Sequence, residues 1–209
     1  MNEMEGRAGE AVGRGDQLTD EQLMAAFAGG AGGASADAFQ ALFHRYRQPV
    51  YGFFRRRVAD AAQAEELAQE TFLAVLKARG RYEATALFRS YLYGIAFRVL
   101  KAHRRKALLR AMFTGKMPER GQPADAGVET GLVSGLVLRD AVGRLERMDR
   151  EMVLLREYEE LSYAEIAAVL GVPVNTVRSR LFRARMALRA VLTSPVENVM
   201  EMRSAEEHA

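Results

Sequence analysis

The 209-residue chain contains no cysteine. That excludes a disulfide framework, a thiolate metal site and a cysteine nucleophile, and it suits a reducing, cytoplasmic compartment. Histidine is scarce too. His44, His103 and His208 are too scattered for a metal site or a catalytic triad. No Walker-type phosphate loop occurs. No long uncharged apolar run is present, nor a cationic start followed by an apolar core, so neither a membrane span nor a signal peptide is expected. Strand signals of any length are missing, and the expected fold class is all-α.

The most informative absence is of acid. The net charge of +3 conceals two stretches without Asp or Glu. One lies between Glu83 and Glu119 and holds Arg89, Arg98, Lys101, Arg104, Arg105, Lys106, Arg110 and Lys116. The other lies between Glu165 and Glu197 and holds Arg178, Arg180, Arg183, Arg185 and Arg189. Two basic segments separated by acidic ones suggest two contacts with a polyanion.

Hydrophobic periodicity organises the rest. Residues 1–17 are polar, Gly-rich and aperiodic, which predicts a disordered tail. Leu18 to Ala28 predicts a short helix capped by Thr19 or Asp20, broken by Gly29, Gly30, Gly32 and Gly33. A helix from Ser35 past Tyr46 would bury Phe39, Leu42, Phe43 and Tyr46 and then kink or restart at Pro49 before running to Val58. Ala61 to Ala78 places Ala64, Leu67, Ala68, Thr71, Phe72, Val75 and Leu76 on one inner stripe. Arg79 to Ala86 reads as a loop. A long helix is expected over Leu87 to Arg110, apolar in its first half and basic in its second. Gly and Pro then interrupt any period through residues 111–135, which read as a linker. Helical patterning resumes over 136–192, and the polar, acidic residues 193–209 form a frayed tail.

The sharpest local motif runs from Leu161 to Leu181. Ser162 followed by Glu165 is a capping box that starts a helix. Ile166, Ala167 and Leu170 form its inner face, and Gly171 stops it. Pro173 suits the first turn of the next helix. Val177, Leu181, Ala184 and Leu188 make that helix's buried stripe. Asn175, Thr176, Arg178, Ser179 and Arg183 lie outward, with Arg180 and Arg185 on the flanks. This is a helix-turn-helix whose second helix is loaded for the major groove. Residues near its start should approach base edges, and later arginines should hold phosphates. Two packed helices with a solvated basic face would show the second helix's charge but not the whole set of signals.

The other basic segment is more ambiguous. Tyr82, Phe88, Tyr91, Tyr93 and Phe97 precede or interleave with it. Aromatics can stack unpaired bases while Arg98, Lys101, Arg104 and Arg105 hold a backbone. An aromatic core stripe with a solvated charge run, or a membrane-surface helix, fits the same residues.

With these residues in view, the sequence resembles the extracytoplasmic-function (ECF) class of bacterial sigma-70 family sigma factors. The resemblance covers about residues 18–110 and 136–192. Ala64-Glu-Glu-Leu-Ala-Gln-Glu-Thr-Phe-Leu-Ala-Val is similar to the segment by which that family grips the polymerase clamp helices. The likeness implies that Glu66, Gln69 and Glu70 contact core RNA polymerase (β and β′ subunits). Phe88-Arg-Ser-Tyr-Leu-Tyr-Gly-Ile-Ala resembles the helix that melts and reads the promoter −10 element. It assigns Tyr82, Phe88, Tyr91, Arg98, Lys101, Arg104 and Arg105 to that DNA. Leu145 to Glu157 and the helix-turn-helix resemble the −35-binding domain. His103 fits the family pattern. Tyr91 stands where a Trp is typical, Arg98 where Asn is frequent and Ala102 where Asp is frequent, and the loop from Arg79 to Leu87 aligns poorly.

The resemblance implies a region 2-like domain (18–110), a flexible linker (111–135) and a region 4-like helix-turn-helix domain (136–192). It implies promoter DNA and an anti-sigma factor as partners, no cofactor and no catalysis. A helix-turn-helix regulator that binds duplex DNA without polymerase is the alternative.

Overall fold

The computed structural model describes residues 18–30, 32–82, 87–114 and 132–206, with side chains in the last stretch described for 138–192. The expected N-terminal tail, most of the expected linker and residues 83–86 lie outside the described residues. The chain divides into two compact units, Met1–Ala124 and Asp125–Ala209. Among the described residues, regular structure is helical throughout and no strand occurs.

The first unit contains α1 (Asp20–Gly29), α2 (Gly33–Arg55), α3 (Ala61–Lys77), a short 3-10 turn (Arg79–Arg81) and α4 (Phe88–Thr114). Thr19, not Asp20, caps α1. Its hydroxyl accepts from the Gln22 amide at 3.2 Å, and the Gln22 side chain accepts from the Thr19 amide at 2.8 Å. Asp20 is thereby left to face α2. It accepts from Arg45 at 2.7 Å and from the Tyr46 hydroxyl. Burial and this hydrogen bond to a carboxylate raise the Tyr46 phenol far above its ordinary range.

Pro49 is expected to kink or restart α2; the helix does not restart there but runs through it to Arg55. A mid-helix proline costs roughly 3 kcal/mol. Leu42 and Tyr46 before it, and Val50, Phe53 and Phe54 after it, are all buried on one stripe, while Pro49 itself is exposed. Burial of five large side chains outweighs the one lost hydrogen bond. Phe39 and Phe43, expected in the buried face, sit half-buried at its edge.

Helix α3 begins at Asp60, whose carboxylate accepts from the amides of Ala62 and Gln63 at 3.3 and 3.2 Å. Ala64, Leu67, Ala68, Thr71, Phe72 and Val75 are buried as expected. Leu76 is not: it is 38% exposed. It lies seven residues after Gln69 and so belongs to the outer face. Arg79–Arg81, expected as loop, is a single 3-10 turn. Helix α4 packs against α1, α2 and α3. Phe88, Leu92, Tyr93, Ile95, Ala96, Phe97, Val99 and Leu100 are buried, and the helix then leaves the core and continues to Thr114, past Arg110.

The second unit contains α5 (Leu132–Arg144), α6 (Arg147–Glu157), α7 (Tyr163–Leu170) and α8 (Val174–Glu206). The Arg150 guanidinium, from α6, donates to the carbonyls of Val142 at 3.1 Å, Gly143 and Leu145 at 3.2 Å, closing the carbonyl end of α5. The Ser162–Glu165 capping box forms in both directions, at 2.8 and 3.3 Å. Gly171 ends α7 with φ 69° and ψ 41°, its amide bonded to the Ala167 carbonyl at 2.9 Å. Only glycine adopts that left-handed backbone without steric cost. The Pro173 carbonyl accepts the amides of Thr176 and Val177, starting α8. Ile166, Ala167, Val177, Leu181 and Ala184 are buried, whereas Leu170 and Leu188 are half-buried. The backbone of α8 stays helical to Glu206, through most of the segment expected to fray.

Replacing Gly171 with alanine should destabilise the second unit by about 1–2 kcal/mol, because a Cβ is forced into the left-handed region. Chemical denaturation of the variant, with the first unit as internal control, measures the shift.

Candidate nucleic-acid interface

Helix α8 sits across α5, α6 and α7, with Val177, Leu181 and Ala184 turned inward. A helix rotates about 100° per residue, so its outer face gathers Asn175, Arg178, Ser179 and Phe182. These four and Arg183 line one shallow surface groove. Arg178 donates to the Asn175 side-chain oxygen at 3.3 Å, so the two polar ends stand together over the amino end of the helix. Ser179 donates to the Thr176 carbonyl at 3.1 Å, and Thr176 is half-buried.

Arg180 departs from its expected role. Its guanidinium donates to Glu146 at 2.8 Å and Asp149 at 2.9 Å, at the start of α6. Its side chain is 27% exposed. The hydrogen bonds to Asp149 and Glu146 raise its pKa further. Arg180 therefore ties α8 to α6 and is not part of the groove. Arg185 is similarly engaged, donating to Glu157 at 2.8 Å and to the Tyr163 hydroxyl at 3.3 Å. Sequence reasoning missed Phe182, which is 65% exposed, and Met186 beyond it. The available signal was an aromatic four residues after Arg178 on the polar face.

In the first unit, the aromatic and basic residues of α4 separate. Phe88 is only 1% exposed, wedged against Tyr46 at 5.3 Å between ring centroids and Tyr91 at 6.4 Å. Its expected part in DNA contact is corrected: a ring buried on both faces cannot stack a base. Tyr82 and Tyr91 are half-buried and meet edge to face at 5.1 Å. The Tyr91 hydroxyl oxygen is shielded from solvent and has no hydrogen-bond partner among the described residues. Burial raises the pKa of both phenols, and the Glu21 carboxylate adds to the effect on Tyr82. Arg98, Lys101 and Arg105 are exposed, and at 100° per residue they fall within one stripe that starts at Tyr91. Arg98 donates to the Gly94 carbonyl at 3.3 Å, and the Lys101 ammonium lies 6.0 Å from the Phe97 ring centroid. Arg104 is half-buried and points well away from that stripe.

On α3, Glu66, Gln69 and Glu70 are exposed along one face. Two leucines extend it: Leu73, 53% exposed, and Leu76. Sequence reasoning missed Leu73, although its spacing of four from Gln69 and three from Glu70 places it on the polar side. A carboxylate face that ends in bare leucines has the composition of a protein-binding surface. Across from it, His103 on α4 has a lowered pKa, mainly from burial and then from Arg104, with Glu70 acting in the opposite sense. Among the described residues, no cluster of His, Asp or Glu could hold a metal ion, and no helix is long and apolar enough to cross a membrane.

Comparison with known proteins accounts for both units. Residues 42–108 match the model for sigma-70 region 2, and residues 136–188 match the model for sigma-70 region 4. The ECF RNA polymerase sigma factor SigC of Mycobacterium tuberculosis is 34% identical over 173 residues, covering 82% of this chain and 92% of that protein. The chain belongs to the ECF class of sigma-70 family sigma factors. The sigma-H factor of Pseudomonas aeruginosa is 33% identical over 166 residues, covering 74% of this chain and 86% of its own. The fold is shared with the sigma factor RpoE of Bartonella quintana, solved in complex with the anti-sigma factor NepR: TM-score 0.65 and 21% identity, over 74% of this chain and 96% of that one.

The matches place this sigma factor's region 2 over the later part of α2, α3 and α4 as far as Leu108, and its region 4 over most of α5, α6 and the helix-turn-helix as far as Leu188. Helix α1 precedes the region 2 match. The Arg180 ion pairs are open to measurement in the sigma factor alone. Arg180→Ala and Asp149→Ala should each lower stability, and a double-mutant cycle should return a coupling of about 0.5–1 kcal/mol. Zero coupling in thermal or urea unfolding would release Arg180 for DNA.

Proposed function

We propose that this sigma factor brings core RNA polymerase to promoters by dividing three contacts between its two units. The observation that carries the reading is the groove on α8. An Asn–Arg pair and Ser179 stand over the amino end of the second helix of a helix-turn-helix, while the neighbouring arginines Arg180 and Arg185 are engaged within the unit. Asn175, Arg178, Ser179 and Arg183 would read the −35 duplex, Arg178 by bidentate donation to guanine or Asn175 to adenine. The Phe182 ring is available to apolar base substituents. Thr176 supports the Ser179 hydroxyl through its carbonyl.

In the first unit, Tyr82 and Tyr91 would receive unpaired bases of the −10 strand while Arg98, Lys101 and Arg105 track its phosphates. Arg104 contributes charge from the flank, and Phe88 supports Tyr91 from below. Glu66, Gln69 and Glu70 would face the polymerase clamp, with Leu73 and Leu76 supplying apolar area that a purely charged face lacks. The likeness to a sigma factor solved with its anti-sigma factor supports an anti-sigma partner here. The domain limits 18–110 and 136–192, with residues 111–135 spanning the two promoter elements, follow from the same reading. The chain makes and breaks no bonds. It acts in the cytoplasm, at the nucleoid when bound to polymerase.

Run-off transcription with bacterial core polymerase and promoter-bearing genomic fragments tests the whole reading. Initiation that does not depend on this chain rejects it. Two substitutions test its parts. Arg178→Ala should weaken −35 binding by about 1–3 kcal/mol and relax base preference at one position. Gln69→Ala with Glu70→Ala should lower affinity for core polymerase in a pull-down, and Leu73→Ala should add to the loss.

A further inference from the structure

Helix α4 begins abruptly at Phe88. The first amides of any helix lack partners within it, and the positive end of the helix dipole lies there. The first turn of α4 holds no acidic residue of its own. The missing acceptor comes from another helix. A carboxylate oxygen of Glu21, in the first turn of α1, accepts from the Phe88 amide at 3.1 Å.

The surroundings make this contact more than a loose tether. Asp20, next to Glu21, is fixed by Arg45 and by the Tyr46 hydroxyl. The Tyr46 ring in turn packs against Phe88. Two successive acids on α1 therefore grip the same end of α4, one through its backbone and one through the ring that supports it. The Glu21 charge also reaches the Tyr82 phenol. Tyr82 lies six residues before Phe88 in sequence and meets Tyr91 edge to face.

We infer that Glu21 is a positioning residue for −10 recognition: by capping α4 from α1, it sets where Tyr91 and the stripe of Arg98, Lys101 and Arg105 stand against the DNA strand. The inference rests on the assignment of α4 to the −10 element. Glu21 touches no base in this scheme. It acts through the start of α4, where a shift of the first turn moves Tyr91 directly.

The full chain, assembled with core polymerase, is tested on two probes cut from a promoter found by run-off transcription. One is a fork junction with a single-stranded non-template −10 strand, and the other is the −35 duplex alone. Glu21→Ala should weaken fork-junction binding about tenfold while core affinity and −35 binding hold. Glu21→Gln keeps an acceptor and should restore most of the loss. Amide exchange at the first turn of α4 should quicken in Glu21→Ala even without DNA. If Glu21→Ala does not fold, Glu21→Asp, which keeps the charge but withdraws it, serves in the same comparison. Unchanged fork-junction binding overturns the inference, as does an equal loss on both probes and on core affinity. A wild-type holoenzyme that does not distinguish the −10 strand from a scrambled strand overturns the assignment of α4, and the inference with it.

Discussion

The first unit depends on burial of the amino-terminal half of α4. Phe88, Leu92 and Leu100 are fully enclosed, together with Phe53, Phe54 and Leu42 of α2 and Leu23 and Met24 of α1. Each such side chain contributes about 1.5–3 kcal/mol. Beyond Leu100 the same helix carries cations into solvent with little apolar support. One continuous helix thus serves as both the wall of a core and a charged projection. Any error in seating the buried half is carried along the axis to Arg98, Lys101 and Arg105.

The two polar faces of that unit differ in kind. The face of α3 mixes carboxylates with exposed leucines, a composition suited to another protein. The face of α4 is cationic and begins at a tyrosine pair, a composition suited to single-stranded nucleic acid. His103 and Glu70 lie where the helices carrying these faces come together. Under the proposed function the two faces would hold a protein and a melted strand at once, on neighbouring helices of one packed unit.

What could be read from the sequence followed the range of the signals. The helix-turn-helix was legible because its capping box, Gly171 and Pro173 act within a few residues. The inner stripe of α3 was legible through Val75 because periodicity reports a face, but the stripe was drawn one residue too wide at Leu76. Pro49 does not restart α2 because the stripe that holds the helix together belongs to tertiary packing. Motif position alone points Phe88 and Arg180 toward DNA. Their true surroundings, Tyr46 for one and Glu146 with Asp149 for the other, lie more than thirty residues away in sequence. The bond from Glu21 to Phe88 spans a still longer separation and leaves no local trace.

The engagement of Arg180 and Arg185 has a thermodynamic corollary. Protein–DNA affinity falls with salt because each phosphate neutralised releases condensed counterions, with a slope of about 0.9 per phosphate. Five arginines lie in the acid-free part of α8. Two of them, Arg180 and Arg185, already pair with carboxylates of their own unit. Under the proposed function, a −35 contact made while those pairs persist would be less sensitive to ionic strength than a count of its arginines implies, and a larger share of its affinity would come from fit to the groove.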